Sequence, residues 1–186
     1  TQPQSSMVIM DPYTGLVKGL AGGRGEKEGN RTLNRATQTL RQPGSSIKPL
    51  TVYAPAIEYG LVTPSTIVND APVSFGSWAP RNDDRSFAGR ITVSAALRGS
   101  RNVPASKICN YLTAEAAFDF MRNNLHVSTV VKERKQNGKI LSDVGLAPIA
   151  LGGLTDGVSV LDMCAAYCTF PNGGKYIKPS LYTKVL

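Results

Sequence analysis

Two short segments of the chain carry residue types that together could perform acyl transfer. In the first, Ser45 and Lys48 are three residues apart and would lie on one face of a helix. A neutral lysine amine can accept the proton of a serine hydroxyl, provided that burial or a neighbouring cation lowers the pKa of the lysine. At the start of a helix, the backbone N–H of Ser45 could also stabilise an oxyanion. The spacing predicts a serine nucleophile with its base; a helix cap beside a surface lysine is the structural alternative.

The second segment, Ser100-Arg101-Asn102, would place a hydroxyl and an amide on the same side of an extended turn. The Ser100 hydroxyl could relay a proton toward a leaving group. The Asn102 amide could hold a substrate carbonyl and the lysine side chain. We expect Arg101, the middle residue, to face solvent. Serine and asparagine are also common in caps and turns, so a purely structural role is the alternative for both.

The sequence around these motifs resembles the transpeptidase domain of class A, bifunctional penicillin-binding proteins. S-x-x-K and S-D-N belong to the motif set of that superfamily, and here the second motif reads Ser-Arg-Asn. The similar segments follow the family's order over nearly the whole chain. They are the hairpin at residues 8–15, the active-serine segment 34–49, the block Trp78-Ala-Pro-Arg-Asn82, the run 89–102, and residues 151–153, 157–161 and 165–174.

This resemblance implies an α+β fold of the penicillin-recognising serine transpeptidase type, with an antiparallel sheet packed by helices and a mainly helical subdomain that holds Ser100 and Asn102. Ser45 would be acylated by D-Ala-D-Ala stem peptides or by β-lactams, with Lys48 as its base and Ser100 as the proton shuttle. Asn102 and Trp78 would contact the substrate, although Trp78 could equally belong to the core. An amine of a neighbouring peptidoglycan stem peptide would then attack the acyl-enzyme, with no cofactor and no metal.

One motif of the family does not occur in this chain: there is no Lys-Thr-Gly, Lys-Ser-Gly or His-Thr-Gly. In the family that motif lies on a later strand, binds the substrate carboxylate and supplies the second oxyanion N–H. Residues 1–186 are therefore expected to form the N-terminal portion of the domain, with an incomplete sheet and without activity alone. The expected partner is the C-terminal remainder of the same domain. The resemblance also implies a glycosyltransferase domain and a membrane anchor upstream, at the extracytoplasmic face of the bacterial cell membrane.

Composition agrees with a folded domain rather than a tail or a membrane span. Hydrophobic residues make up 41% and charged residues 18% of the 186 residues, which is enough apolar material for a core. The net charge of +8 would permit a polyanionic partner. However, lysine and arginine are spread along the chain and aromatic residues are only 7%, so we expect no nucleic acid. Three cysteines are an odd number and predict buried thiols rather than a disulfide framework.

The elements that must position the motifs follow from turn and capping signals. Residues 7–11 and 16–21 predict a hairpin, and a helix should begin at Ser45 and kink or end at Pro55. Residues 60–90 are predicted to form a long irregular segment, which in a compact domain is usually functional or covers a site. Residues 131–139 are predicted to be a charged, exposed stretch. Further helices are predicted at 92–98, 104–112, 113–124 with Thr113 as N-cap, and 159–170, and a strand at 181–186.

Three other functions remain open from the sequence. A non-catalytic module could bind penicillin or cell-wall peptide without turnover. A carboxypeptidase or β-lactamase would carry the same motifs but would need a positioned water, and no Glu or Asp stands out as its base. Binding to nucleic acid would depend on charge alone, and would show a steep dependence on salt.

Overall fold

The structure is a computed structural model that describes residues 2–27 and 29–184. Helices and strands are mixed, which confirms the predicted α+β class. In chain order they are β1 (Met7–Met10), β2 (Val17–Ala21), a 3-10 helix (Gly44–Ile47), a π-helix (Pro49–Tyr53), α1 (Ala54–Glu58), β3 (Ile67–Asp70), β4 (Gly89–Thr92), α2 (Val93–Arg98), α3 (Asn102–Leu112), α4 (Ala114–Asp119), a second π-helix (Phe120–Asn124), β5 (Arg134–Gln136), β6 (Lys139–Leu141), α5 (Leu146–Leu151) and α6 (Val160–Tyr167).

The described residues form two units. The first contains residues 2–27, 29–41, 122–129 and 156–184, and the second contains residues 42–121 and 130–155. Both halves of the candidate site, around Ser45 and around Ser100, lie in the second unit. The strands pair as three separate antiparallel hairpins, β1–β2, β3–β4 and β5–β6.

The first unit contains the predicted N-terminal hairpin, with Val8 opposite Leu20 in β1 and β2. Its turn is closed by the Asp11 carboxylate, which accepts a hydrogen bond of 2.9 Å from the backbone N–H of Tyr13. Helix α6 packs against β1. This helix begins at the predicted cap, where Ser159 Oγ accepts from the N–H of Asp162 at 3.0 Å, but ends at Tyr167 instead of near residue 170.

The strand predicted at residues 181–186 is wrong over its described part, because residues 181–184 form no strand. The chain pairs with the first hairpin one residue earlier instead. Ser180 O accepts from the N–H of Val17 at 2.8 Å, and Ser180 N–H donates to Gly15 O at 2.9 Å. Residues 185 and 186 lie outside the described residues.

The second unit is built around one helical run from Gly44 to Glu58, which changes from 3-10 to π to α geometry. Its inner side supplies fully buried Ile47, Leu50 and Val52. Pro55, where the helix is predicted to kink or end, does not end the run, which continues to Glu58. The change from π to α geometry falls one residue before it, at Ala54. Pro55 occupies the first turn of α1, where its missing N–H is tolerated.

Two hairpins occupy segments for which the sequence predicted no regular structure. Strands β3 and β4 bracket residues 71–88, so the irregular parts of the 60–90 segment are residues 60–66 and 71–88. Strands β5 and β6 lie in the charged stretch, which is exposed as expected. Their turn is Asn137-Gly138, with φ of 51° and 73°. Asn-Gly is the sequence signal that would have predicted this hairpin.

The helix predictions from 92 to 124 are confirmed in outline. Thr92 and Thr113 are the N-caps of α2 and α4. Their hydroxyls accept hydrogen bonds from the N–H groups of Ala95 at 3.1 Å and Ala116 at 3.2 Å. Helix α3 begins at Asn102, two residues earlier than predicted.

Of the cysteines, Cys109 is buried, and its burial raises the pKa of the thiol to about 12. Cys164 and Cys168 are half-buried free thiols.

A glycine contact fixes the start of the helical run. Gly152 ends α5 with φ of +78°, and its carbonyl accepts from the N–H of Gly44 at 3.3 Å. A Cβ on Gly152 would lie 2.6 Å from Gly44 N and 2.7 Å from Gly44 C. No side chain fits there, so Gly152 allows α5 to lie directly against the backbone that precedes Ser45.

We expect Gly152→Ala to lower the free energy of unfolding by about 2 kcal/mol or more. The new side chain meets backbone atoms, and a positive φ itself costs an L-residue about 1–2 kcal/mol. Gly153→Ala is the matched control, because open space surrounds that position. It should change stability by no more than about 0.5 kcal/mol. Urea unfolding of both variants checks this; equal effects of the two substitutions would contradict the packing described.

Candidate active site

The centre of the site is the amine of Lys48, a residue that is 1% exposed. Lys48 Nζ donates three hydrogen bonds: to Ser100 O at 2.6 Å, to Ser100 Oγ at 3.2 Å and to Asn102 Oδ1 at 2.6 Å. The structure therefore brings Lys48 together with two other predicted site residues, Ser100 and Asn102, which lie 52 and 54 positions after it in the sequence. Between them they use all three N–H groups of the ammonium.

Burial changes the acid–base behaviour of this amine. It lowers the pKa of Lys48 from 10.5 to about 8, against the opposing effect of the negative charge of Asp83. A substantial neutral fraction is then present near pH 8. Ser100 O and Asn102 Oδ1 can only accept, so a neutral amine would keep both of those bonds. Its lone pair would face the third partner, the Ser100 hydroxyl, which can donate.

Ser45 lies in the first turn of the helical run and is exposed. Among the described residues its hydroxyl makes no hydrogen bond, and the Lys48 amine is directed to Ser100 and Asn102 instead. Ser45 nevertheless borders the same pocket as those two residues. The pocket has a volume of about 460 Å³ and is lined by Ser45, Asn82, Asp83, Asp84, Gly99, Ser100, Arg101 and Asn102. A reactant in it would face the nucleophile candidate and the Ser100 hydroxyl together.

Ser100 adopts a left-handed backbone conformation with φ of 49°, which is unusual for a residue with a side chain. The segment is therefore a strained turn between α2 and α3 rather than the predicted extended turn. The backbone N–H of Ser100 donates to Leu97 O at 2.9 Å, which closes the end of α2. This conformation is what allows the carbonyl and the hydroxyl of one residue to reach the same amine.

The Asn102 amide is held at both ends. Its Oδ1 accepts from Lys48, and its Nδ2 donates to Arg81 O at 2.8 Å. The backbone N–H groups of Asn102 and Val103 donate to Asn82 Oδ1, at 2.9 and 3.1 Å. The lysine contact proposed for Asn102 is present, and its amide orientation is fixed by these partners.

Arg101 does not face solvent, so that expectation is wrong. Its Nε lies 2.7 Å from Asp70 Oδ2 and its Nη1 lies 2.7 Å from Asp84 Oδ2. The Asp70 side chain is fully buried. Burial opposes its ionisation, but hydrogen bonds from Asn82, the Ala88 N–H and Arg101 outweigh this and hold the pKa of Asp70 below its usual value. A buried carboxylate requires such a cation, which draws Arg101 inward.

Trp78 is not among the residues that line the pocket around Ser45. Its ring stacks on Phe75 with a centroid separation of 6.0 Å, and the two backbones pair with each other. The structure thus assigns Trp78 a packing partner, and its contact with substrate stays a prediction. Sequence reasoning missed Asp70 entirely and quoted Asn82 only as part of a block, since neither belongs to a catalytic pattern.

Comparisons with known proteins show which family the chain belongs to. The family described as penicillin binding protein transpeptidase domain matches residues 5–186. Penicillin-binding protein 1A of Clostridium acetobutylicum is 36% identical over 200 residues, covering 100% of this chain and 23% of that protein. Penicillin-binding protein 1F of Bacillus subtilis is 34% identical over 183 residues, covering 98% of this chain and 23% of that protein.

The fold is also similar to a solved structure. The crystal structure of penicillin-binding protein 1A from Haemophilus influenzae has a TM-score of 0.79 and 28% identity, covering 95% of this chain and 24% of that one. The chain thus spans about a quarter of the length of these relatives. Within residues 2–27 and 29–184, no helix is both long and apolar enough to cross a membrane. The chain belongs to the penicillin-binding protein transpeptidase family, as a transpeptidase domain of the class A type.

Proposed function

We propose that this chain forms the acylating part of a serine D,D-transpeptidase that cross-links peptidoglycan stem peptides through an acyl-enzyme on Ser45. β-Lactams would inhibit it by acylating the same serine. The observation that carries the proposal is the buried Lys48 amine, held by Ser100 and Asn102 beside a pocket that Ser45 borders. A transpeptidase family supplies the reaction class.

In the acylation step, the lone pair of neutral Lys48 turns from the Ser100 hydroxyl to Ser45 Oγ and takes its proton as that oxygen attacks the carbonyl carbon of the terminal D-Ala-D-Ala peptide bond. The backbone N–H of Ser45 donates to the developing oxyanion. Collapse breaks the C–N bond, and the leaving D-Ala nitrogen needs one proton. The Ser100 hydroxyl donates it and is reprotonated by the Lys48 ammonium, whose Nζ lies 3.2 Å from Ser100 Oγ.

In the second step, the amine of a neighbouring stem peptide attacks the Ser45 ester. The amine loses a proton to Lys48, Ser45 Oγ leaves as the alcohol after regaining a proton, and a new peptide bond joins the two stem peptides. Asn102 keeps Lys48 in place throughout. One N–H of its amide donates to Arg81 O, so the other is available for a carbonyl of the acyl chain. Trp78 is retained as a proposed substrate contact.

The remaining parts of the proposal concern the protein around this chain. Residues 1–186 would be the N-terminal portion of the transpeptidase domain, with a Lys-Thr-Gly segment contributed by its C-terminal remainder. The protein would act at the extracytoplasmic face of the bacterial membrane, anchored by another segment and joined to a glycosyltransferase domain. Losing one oxyanion donor costs on the order of 10²–10³ in rate, so the assays below use the full-length protein.

The nucleophile can be identified by mass. We expect benzylpenicillin to form one covalent adduct with the full-length protein, and Ser45→Ala to abolish it because the ester oxygen is gone. Ser46→Ala is the matched control: Ser46 is the adjacent exposed serine, and its hydroxyl donates to Pro43 O at 2.7 Å. Intact-mass spectrometry measures all three. No adduct in the wild type would favour a non-catalytic recognition module, and an adduct that persists in Ser45→Ala would assign the nucleophile to another residue.

The base can be identified by pH. If Lys48 must be neutral, the acylation rate should rise with pH through a midpoint of about 8 and fall about tenfold for each unit below it. Lys48→Met should reduce the rate by about 10²–10⁴-fold and remove this midpoint. Lys135→Met, at an exposed lysine of β5, serves as the control. A midpoint that survives in Lys48→Met would assign the titration to another group.

A further inference from the structure

We propose that Asn82 is a positioning residue of the acyl-transfer site, and that buried Asp70 sets its orientation. This inference rests on the proposed function and adds a residue to it. Asn82 would fix the backbone of Asn102, and through Asn102 the position of the Lys48 amine. It would therefore act on the reaction without touching the reacting atoms.

Every hydrogen-bonding capacity of the Asn82 amide is used. Its Oδ1 accepts from the N–H groups of Asn102 and Val103 at 2.9 and 3.1 Å. Its Nδ2 donates to Asp70 Oδ1 at 2.7 Å and to Ser86 O at 2.9 Å. Asn82 is 3% exposed, so water does not substitute for these partners. An amide with two donors and two acceptor sites fits this position fully.

The hydrogen bond from the Asn102 N–H to Asn82 Oδ1 takes the place of the side-chain cap that the N-cap residue of α3 does not provide. The N-cap residue of α3 is Arg101, whose own side chain makes no capping hydrogen bond. Asn82, 20 residues upstream, supplies the oxygen that a local Ser, Asp or Asn would normally provide. The side chain of the same Asn102 then accepts from Lys48 Nζ at 2.6 Å. Movement of the first turn of α3 would therefore move an acceptor of the lysine.

Asp70 decides which way the Asn82 amide points. A carboxylate can only accept, so Nδ2 must face Asp70 and Oδ1 must face α3. Asp70 is itself fixed by the Ala88 N–H at 3.0 Å and by Arg101 Nε at 2.7 Å. The chain of contacts from Asp70 through Asn82 and Asn102 to Lys48 is continuous. It connects the β3–β4 hairpin to the catalytic base.

The variant Asn82→Asp tests this specifically. Its carboxylate keeps an oxygen for α3 but places a second oxygen where Nδ2 now donates to Asp70. Two carboxylates at that separation cannot both ionise easily, so the pair holds a shared proton at low pH and loses it as the pH rises. We therefore expect the acylation rate of Asn82→Asp, relative to that of the wild type, to fall as the pH rises.

The experiment measures the benzylpenicillin acylation rate of the full-length protein between pH 5 and 10. At pH 8, Asn82→Asp should be at least about tenfold slower than the wild type, and the gap should narrow toward pH 5. The exchange variant Asp70→Asn with Asn82→Asp again sets one amide against one carboxylate. It places an oxygen against Ser86 O and removes the Asp70 charge beside Arg101, so it should recover part of the rate lost at pH 8 rather than all of it. Asn69→Asp is the control, because Asn69 is an exposed asparagine next to Asp70 on β3. Its acylation rate should match that of the wild type.

Two results would overturn the inference: Asn82→Asp acylating like the wild type at every pH, or a folded exchange variant recovering nothing. Thermal unfolding of each variant verifies that it is folded. If the wild type itself forms no adduct, the proposed function fails instead. Asn82 is then tested by the titration of Lys48, followed by NMR in Asn82→Ala and Asn69→Ala. A shifted midpoint confined to Asn82→Ala supports the inference, and unchanged midpoints in both contradict it.

Discussion

The structure depends on placing one amine out of water with three oxygen partners. Burying a lysine disfavours its charged form, and the hydrogen bonds from Lys48 to Ser100 and Asn102 offset part of that cost. Burial lowers the pKa of Lys48 from 10.5 to about 8, and the negative charge of Asp83 opposes this shift. Such an amine can both accept and return a proton near neutral pH, which a solvated lysine does poorly. The chemistry proposed for Ser45 depends on this balance.

The rest of the second unit can be understood as the support of that amine. The helical run buries Lys48 together with Ile47 and Leu50. The buried amine finds its hydrogen-bond acceptors in Ser100 and Asn102. Gly152 allows α5 to lie against Gly44, which sets where the run starts and hence where Ser45 is. Strand β3 carries Asp70, which forms an ion pair with Arg101, the residue after Ser100. Backbone strain at Ser100 is held by these surroundings.

The sequence was informative where chemistry or local rules decide the structure. Spacing and resemblance single out Lys48, Ser100 and Asn102, which the structure brings into contact, and Ser45, which borders the same pocket. Side-chain chemistry predicts the caps at Thr113 and Ser159. The sequence was uninformative where distant residues decide. Arg101 looks like a surface residue until Asp70, 31 positions earlier, is placed beside it. The role of Asn82 depends on an equally distant helix. For Trp78 the structure gives a packing partner in Phe75, and its contact with substrate stays a prediction.

The most direct test is to titrate Lys48 itself. In the full-length protein with 13C-labelled lysine, the Cε resonance of Lys48 can be assigned by its absence in Lys48→Met and followed by NMR against pH. The account predicts a midpoint of about 8, set apart from the other lysines. A midpoint at the ordinary value of 10.5 would contradict it, because Lys48 would then be a fully charged structural clamp and not a base.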